Sequence, residues 1–136
     1  MRVLIDANVL LDVLMNREGF AEWSSAVWKL CEVKKAEGYV SALTFANLVY
    51  VMRRELDPEA IEQVLRTLGL IFSFADLTSQ DLVRASGLHW KDFEDALQSV
   101  TADRLHADYI ITRNVRDYAG SAVPAVTPAE FLSRFV

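Results

Sequence analysis

The sequence predicts a doubly wound α/β fold in three layers, with a central parallel sheet of four to five strands. Three observations carry this expectation. Short apolar runs at 2–5, 39–42, 70–75 and 109–112 alternate with stretches of helical periodicity, and parallel neighbours require such crossovers. Hydrophobic residues make up 52% of the 136-residue chain, with a mean hydropathy of +0.17, which suits a sheet covered on both faces or an apolar surface used for association. Asp6, Asp92, Asp95 and Asp117 each stand at or near a point where a strand or helix begins or ends. In an open α/β sheet, positions just outside the carboxyl ends of the strands converge in one crevice.

The elements follow in order. Residues 2–5 (RVLI) form an apolar run ending at Asp6, the form of a buried parallel strand, and NVLLDVLM after it reads as a helix. Phe20, Trp23, Val27, Leu30 and Cys31 mark one face of a second helix, which Gly38 is expected to close before a strand at 39–42. Phe45, Leu48, Val49 and Met52 repeat at i, i+3, i+4 and i+7, as do Ile61, Val64, Leu65 and Leu68. Asp57 and Pro58 give the latter helix its cap and first-turn proline, Gly69 is its expected stop, and 70–75 is the third strand.

Thr78 with Asp81 predicts a capping box for a helix running towards Gly87, and Phe93, Ala96, Leu97 and Val100 stripe another. The fourth strand is YIIT at 109–112, and 123–126 is a short fifth. Thr127 and Pro128 then start a C-terminal helix through Phe131 and Phe135. No repeat, linker or low-complexity segment interrupts the pattern, so a single domain over 1–136 is expected.

Composition narrows the function classes. A net charge of −5 argues against a broad basic nucleic-acid surface but does not exclude nucleic acid as a substrate. The N-terminus MRVLID lacks a signal peptide's apolar run, and no stretch is long enough to span a membrane, which points to the cytoplasm. Cys31 is the only cysteine; it reads as core packing and can form no internal disulfide. Neither histidine has zinc-like spacing.

The acids carry the chemistry. Asp6 ends the first strand, with Asn8 two residues on, and also fits a helix cap. Asp92 and Asp95 share the first turn of a helix, where Asp92 fits a cap and Asp95 turns inward beside the buried Ala96 and Leu97. Asp117 follows the fourth strand through Thr112, Arg113, Asn114, Val115 and Arg116, a loop long enough to return it to the crevice. Carboxylates brought together this way need a counterion, and Mg²⁺ or Mn²⁺ suits such oxygen donors.

These segments resemble the PIN-domain nucleases, most closely the short members that include VapC-type toxins. The matching pieces are VLIDANVLLD, VSALTFANLVYVM, DFEDALQSVTADRLHADYIITRN and the RDY that follows, in the family's order over almost the whole chain. The resemblance implies a three-layer, Rossmann-like PIN fold and an endoribonuclease acting on single-stranded or structured RNA. In it Asp6, Asp95 and Asp117 would hold Mg²⁺ or Mn²⁺, and Asp92 would be a supporting catalytic acid. Asn8, Asn47, Thr112 and Asn114 match supporting polar positions, and Arg113 and Arg116 would contact the RNA backbone. It also implies a homodimer and, for toxin members, a small antitoxin partner.

One position departs from the family pattern. Many PIN nucleases carry a glutamate where this chain has Asn47, which offers an oxygen but no charge. The alternative it opens is a catalytically weak module that binds RNA or protein. Receiver-type and aspartyl-phosphate phosphatase domains also place an Asp after the first strand. A phosphatase of that type expects a second acid where Asn8 stands, and a receiver expects a lysine after a late strand, yet the last lysine here is Lys91.

Overall fold

The computed structural model describes residues 1–134. Its five strands are β1 (Arg2–Ile5), β2 (Glu37–Ser41), β3 (Ser73–Ala75), β4 (Tyr109–Ile111) and β5 (Ala125–Val126). They form one sheet in the order β3-β2-β1-β4-β5, with every adjacent pair parallel. The helices are α1 (Ala7–Leu14), α2 (Ala21–Glu32), α3 (Ala42–Met52), α4 (Pro58–Ile71), α5 (Ser79–Leu88), α6 (Phe93–Arg104) and α7 (Pro128–Ser133). The doubly wound, three-layer expectation holds, at the upper end of its strand count.

Strand alternation assigns the layers. Val3 and Ile5 of β1 pack into a core shared with Val9, Val27, Leu48, Leu68 and Phe131, whereas Leu4 faces the other way onto Ala102 of α6 and Tyr118. A run of apolar residues buried on alternate faces is what a central parallel strand requires. Residues Ala96 to Ala102 are all buried, because α6 is covered by the sheet on one side and by α5 on another. An ion pair between the buried Asp81 and the partly exposed Arg104 ties those two helices together. Arg104 donates to both carboxylate oxygens of Asp81, each at 3.0 Å. Burial opposes ionisation of Asp81, but the bonds from Arg104 and Thr78 outweigh it and hold its pKa below the usual value.

Several expected boundaries moved, each for a physical reason. Gly38 does not close α2; that helix ends at Glu32, and Gly38 lies within β2. A Cβ on Gly38 would come 2.6 Å from the Phe72 ring and 2.7 Å from Cys31 Sγ, so this glycine permits close approach of a helix layer to the sheet. Gly69 does not stop α4 either. The helix continues to Ile71, with Phe72 N–H bonded to Leu68 O, which shortens the third strand to 73–75. An interior glycine costs a helix only about 1 kcal/mol, which packing of the fully buried Leu68 outweighs.

The expected face of α2 is narrower than its periodicity suggested. Ser24, Val27 and Cys31 are buried, whereas Phe20 and Trp23 are about half exposed. Trp28 instead meets Phe72 edge-on, with ring centroids 5.3 Å apart. Phe93 is likewise exposed, leaving Ala96, Leu97 and Val100 as the buried stripe of α6. The fifth strand covers only 125–126, Val123 being buried in the loop before it. The C-terminal helix is present and capped by Thr127, and Phe135 lies outside the described residues. Cys31 is buried, as expected of core packing. Among the described residues no helix is long and apolar enough to cross a membrane.

Candidate active site

After β1 the chain crosses to one side of the sheet, and β4 flanks β1 on the other. The crevice between the carboxyl ends of these two strands is therefore the topological switch point, where open α/β sheets bind ligands. Ile5 is in register with Ile111, which sets the next residues, Asp6 and Thr112, side by side. Thr112 Oγ1 donates to Asp6 Oδ2 at 2.7 Å, and Ala7 N donates to Oδ1 at 2.8 Å. Asp6 thus caps α1 through one carboxylate oxygen while the other meets Thr112 at the crevice. Burial pushes its carboxyl above the usual range; the Thr112, Ala7 and Gln98 hydrogen bonds oppose this and the charge of Asp117 adds to it.

Asp95 faces the same crevice from the first turn of α6. Its Oδ1 accepts from the buried Tyr118 hydroxyl at 3.2 Å. Its pKa is pushed up to about 6, first by burial and then by the charges of Asp92, Asp6 and Asp117, with the Tyr118 bond working the other way. Burial and the charges of Asp6, Asp95 and Asp92 raise the Tyr118 phenol, so it remains a donor. Asp92 is the N-cap of α6, accepting from Asp95 N at 3.1 Å, and adds negative field at Asp95.

Asp117 is exposed on a 3-10 turn, Val115–Tyr118, close enough to raise the pKa of both Asp6 and Asp95. Asn114 stands at the start of that turn, and its N–H donates to Thr112 Oγ1 at 3.1 Å. The acids are therefore neighbours in electrostatic terms. Among the described residues, however, no three Asp, Glu, His or Cys side chains converge tightly enough to enclose a metal ion.

A family model described as a PIN domain matches residues 2–116. The chain belongs to the PIN-domain family. Solved structures share its fold at low sequence identity. A toxin-antitoxin complex from Klebsiella pneumoniae is 22% identical over 93% of this chain and 97% of that one, with a TM-score of 0.69. The VapBC-1 structure from nontypeable Haemophilus influenzae is 14% identical, covering 95% and 99%, at a TM-score of 0.70. A sarcin-ricin loop cleaving VapC toxin from Mycobacterium tuberculosis is 11% identical, covering 79% and 86%, at 0.64. No curated protein sequence matches the chain.

Within this PIN domain, Gln98 and Glu94, to which the sequence assigns no site role, contact the predicted set. Gln98, 4% exposed on α6, directs its Nε2 to Asp6 Oδ1 at 3.5 Å. Glu94 accepts from Asn47 Nδ2 at 3.4 Å, so an acid from α6 approaches the α3 position where many family members carry their own. Both lie in the run FEDALQ, and the i, i+3 spacing from Asp95 to Gln98 was the available signal. Asn8 is half-buried, and its Oδ1 has no hydrogen-bond partner.

The two arginines differ. Arg113 is committed inside the fold: its guanidinium lies 4.1 Å from the Phe20 ring centroid, and its Nε is 3.3 Å from Asp12, an acid with no exposed surface. Asp12 also accepts from Ser24 Oγ at 3.0 Å and lies 3.6 Å from Arg17. Arg116 is exposed and lines an open cleft of about 870 Å³ together with Trp90, Lys91, Phe93, Asp95 and Asp117. This cleft is continuous with the acids and offers both cationic and aromatic contacts.

Proposed function

We propose that this PIN domain is a Mg²⁺- or Mn²⁺-dependent endoribonuclease that cuts single-stranded RNA, and that it is the toxin of a toxin-antitoxin pair. The observation that supports the reading best is the placement of Asp6 and Asp95 at the switch-point crevice, where burial holds both carboxyls above their usual range and repulsion from neighbouring carboxylates adds to it, from Asp117 at Asp6 and from Asp92, Asp6 and Asp117 at Asp95. A divalent cation relieves that repulsion, and Mg²⁺ commonly takes only one or two carboxylates while keeping several waters. Asp6 and Asp95 are the inner pair, and Asp117 joins from its turn. The donor set is all oxygen, as a hard cation requires.

When bound, such an ion lowers the pKa of a coordinated water and polarises the phosphodiester. Thr112 fixes the Asp6 carboxylate from one side and Ala7 N from the other. Tyr118 orients Asp95, and Asp92 holds the first turn of α6 and deepens the negative field. Lys91 and Arg116 contact phosphates of the bound strand, while Phe93 and Trp90 offer stacking surfaces that only unpaired bases can use. Arg113 supports the loop rather than the substrate. A homodimer and a small antitoxin that blocks the crevice complete the reading, and the likeness to a toxin-antitoxin complex supports the latter.

The direct test is cleavage of single-stranded RNA by purified protein with Mn²⁺, alongside Asp6→Asn and Asp95→Asn. Activity surviving both substitutions would sink the metal-site assignment. A second reading, a PIN module that binds RNA or protein without cutting, is favoured by Asn47, whose amide nitrogen is turned to Glu94. No cleavage by the parent protein, with RNA binding retained, would select it. Co-purification with the product of a small neighbouring gene tests the antitoxin.

A further inference from the structure

Gln98 is placed to do more than fill space. It follows Asp95 by three positions on α6, so both project from one helix face. Its Nε2 donates to Asp6 Oδ1 at 3.5 Å, and since a carboxylate only accepts, this contact decides which end of the amide faces Asp6. Oε1, on the same carbon, is buried and has no hydrogen-bond partner. With the side chain only 4% exposed, that oxygen has lost bulk water without gaining a protein donor. An apolar side chain of similar length would fill the space without this penalty.

We infer that Gln98 is an uncharged oxygen donor of the metal site, its Nε2 holding Asp6 while its Oε1 faces the ion or one of the ion's waters. The inference rests on the metal-dependent reading above. Hard cations accept amide carbonyl oxygens alongside carboxylates and water. A neutral donor also suits a crevice whose acids already repel one another, because it adds a ligand without adding charge. The amide of Asn47, by contrast, spends its nitrogen on an exposed glutamate and leaves the position without an acid.

The test is isothermal titration of the full chain with MnCl₂, for the parent, Gln98→Met and Gln98→Glu, with thermal melts in EDTA to verify folding. Methionine keeps the length and loses the oxygen; the expected result is about tenfold weaker Mn²⁺ binding, the low end of the range for residues that support a metal ligand. Glutamate keeps an oxygen and loses the donor; it is expected to bind Mn²⁺ at least as tightly as the parent while melting lower in EDTA, where it opposes Asp6. Parent-like affinity in Gln98→Met, or Gln98→Glu as weak as Gln98→Met, overturns the inference. If Gln98→Met loses its cooperative melt, Gln98→Glu against the parent decides. A parent that binds no Mn²⁺ removes the metal-dependent reading and this role with it, whereas parent binding unaltered by Gln98→Met removes only the role of Gln98.

Discussion

Thr112 Oγ1 and Asp6 Oδ2 lie 2.7 Å apart although they stand 106 positions apart in the chain. The bond crosses the seam between β1 and β4, where parallel register brings the residues after Ile5 and Ile111 together. Thr112 Oγ1 also accepts from Asn114 N, so one hydroxyl joins the central acid to the loop that delivers Asp117. Replacing Thr112 with Val, which keeps the shape and removes both bonds, is expected to cost about 1–3 kcal/mol, the range for stranding a buried polar group. Urea unfolding measures this. Thr112→Ser should recover most of it, and Mn²⁺-dependent RNA cleavage should fall in Thr112→Val and return in Thr112→Ser.

Asp95 makes metal-free stability depend on pH. Its folded-state pKa of about 6 exceeds the ordinary value of 3.8, so folding favours the protonated form. Its contribution is fully present below about pH 4 and is lost as pH rises through about 6. Melting temperatures in EDTA across this window should fall more steeply for the parent than for Asp95→Asn. Identical slopes would show that Asp95 is not the group responsible. The same ionisation favours cation binding, so Mn²⁺ should raise the melting temperature more at pH 7.5 than at pH 5.

Asn47→Glu restores the family's usual acid beside Glu94, 3.4 Å from the present amide nitrogen. Without metal the two carboxylates repel, and the melting temperature should drop by a few degrees. With Mn²⁺ the added charge should tighten binding and raise cleavage. A variant that loses stability and gains no affinity would place Asn47 outside the reach of the ion.

Arg113 and Arg116 should separate cleanly. Arg113→Met removes one of two cations facing the fully buried Asp12, and Arg17 at 3.6 Å remains as the other. Unfolding stability is expected to fall by roughly 1–3 kcal/mol, less than the full cost of breaking a buried pair. Arg116→Met should leave stability almost unchanged and raise KM for RNA. The reverse pattern in urea unfolding and steady-state kinetics would exchange their roles.

Gly38→Ala tests the packing behind the site. Its Cβ would meet Phe72 at 2.6 Å and Cys31 Sγ at 2.7 Å, so α2 or α4 must move away from β2. Overpacking of this kind costs about 1–3 kcal/mol. A melting temperature equal to the parent's would show that the layer yields freely.

The layer order was legible in the sequence because it is local. Apolar runs alternating with amphipathic stretches define strands and crossovers, and caps such as Thr78 with Asp81 and Asp57 with Pro58 mark helix starts within a few residues. Gly38 and Gly69 do not act as helix stops because their roles are not local. Gly38 answers to Phe72 and Cys31, and Gly69 is carried through α4 by the packing around Leu68. Phe20 and Trp23 kept helical phase with the core, yet the buried face of α2 turned through Ser24, and Arg113 stacks on the exposed Phe20 ring.

The candidate site divides in the same way. The sequence by itself determined which acids stand at element ends, because a carboxylate that caps a helix or ends a strand carries a signature in its immediate neighbours. Only the tertiary structure decided what each acid meets: Asp6 with Thr112 and Gln98, Asp95 with Tyr118, and Asn47 with Glu94. These contacts join elements far apart in the chain. They follow from strand register and helix packing, which pair side chains across space; local spacing shows that Gln98 shares a helix face with Asp95, but not that it meets Asp6.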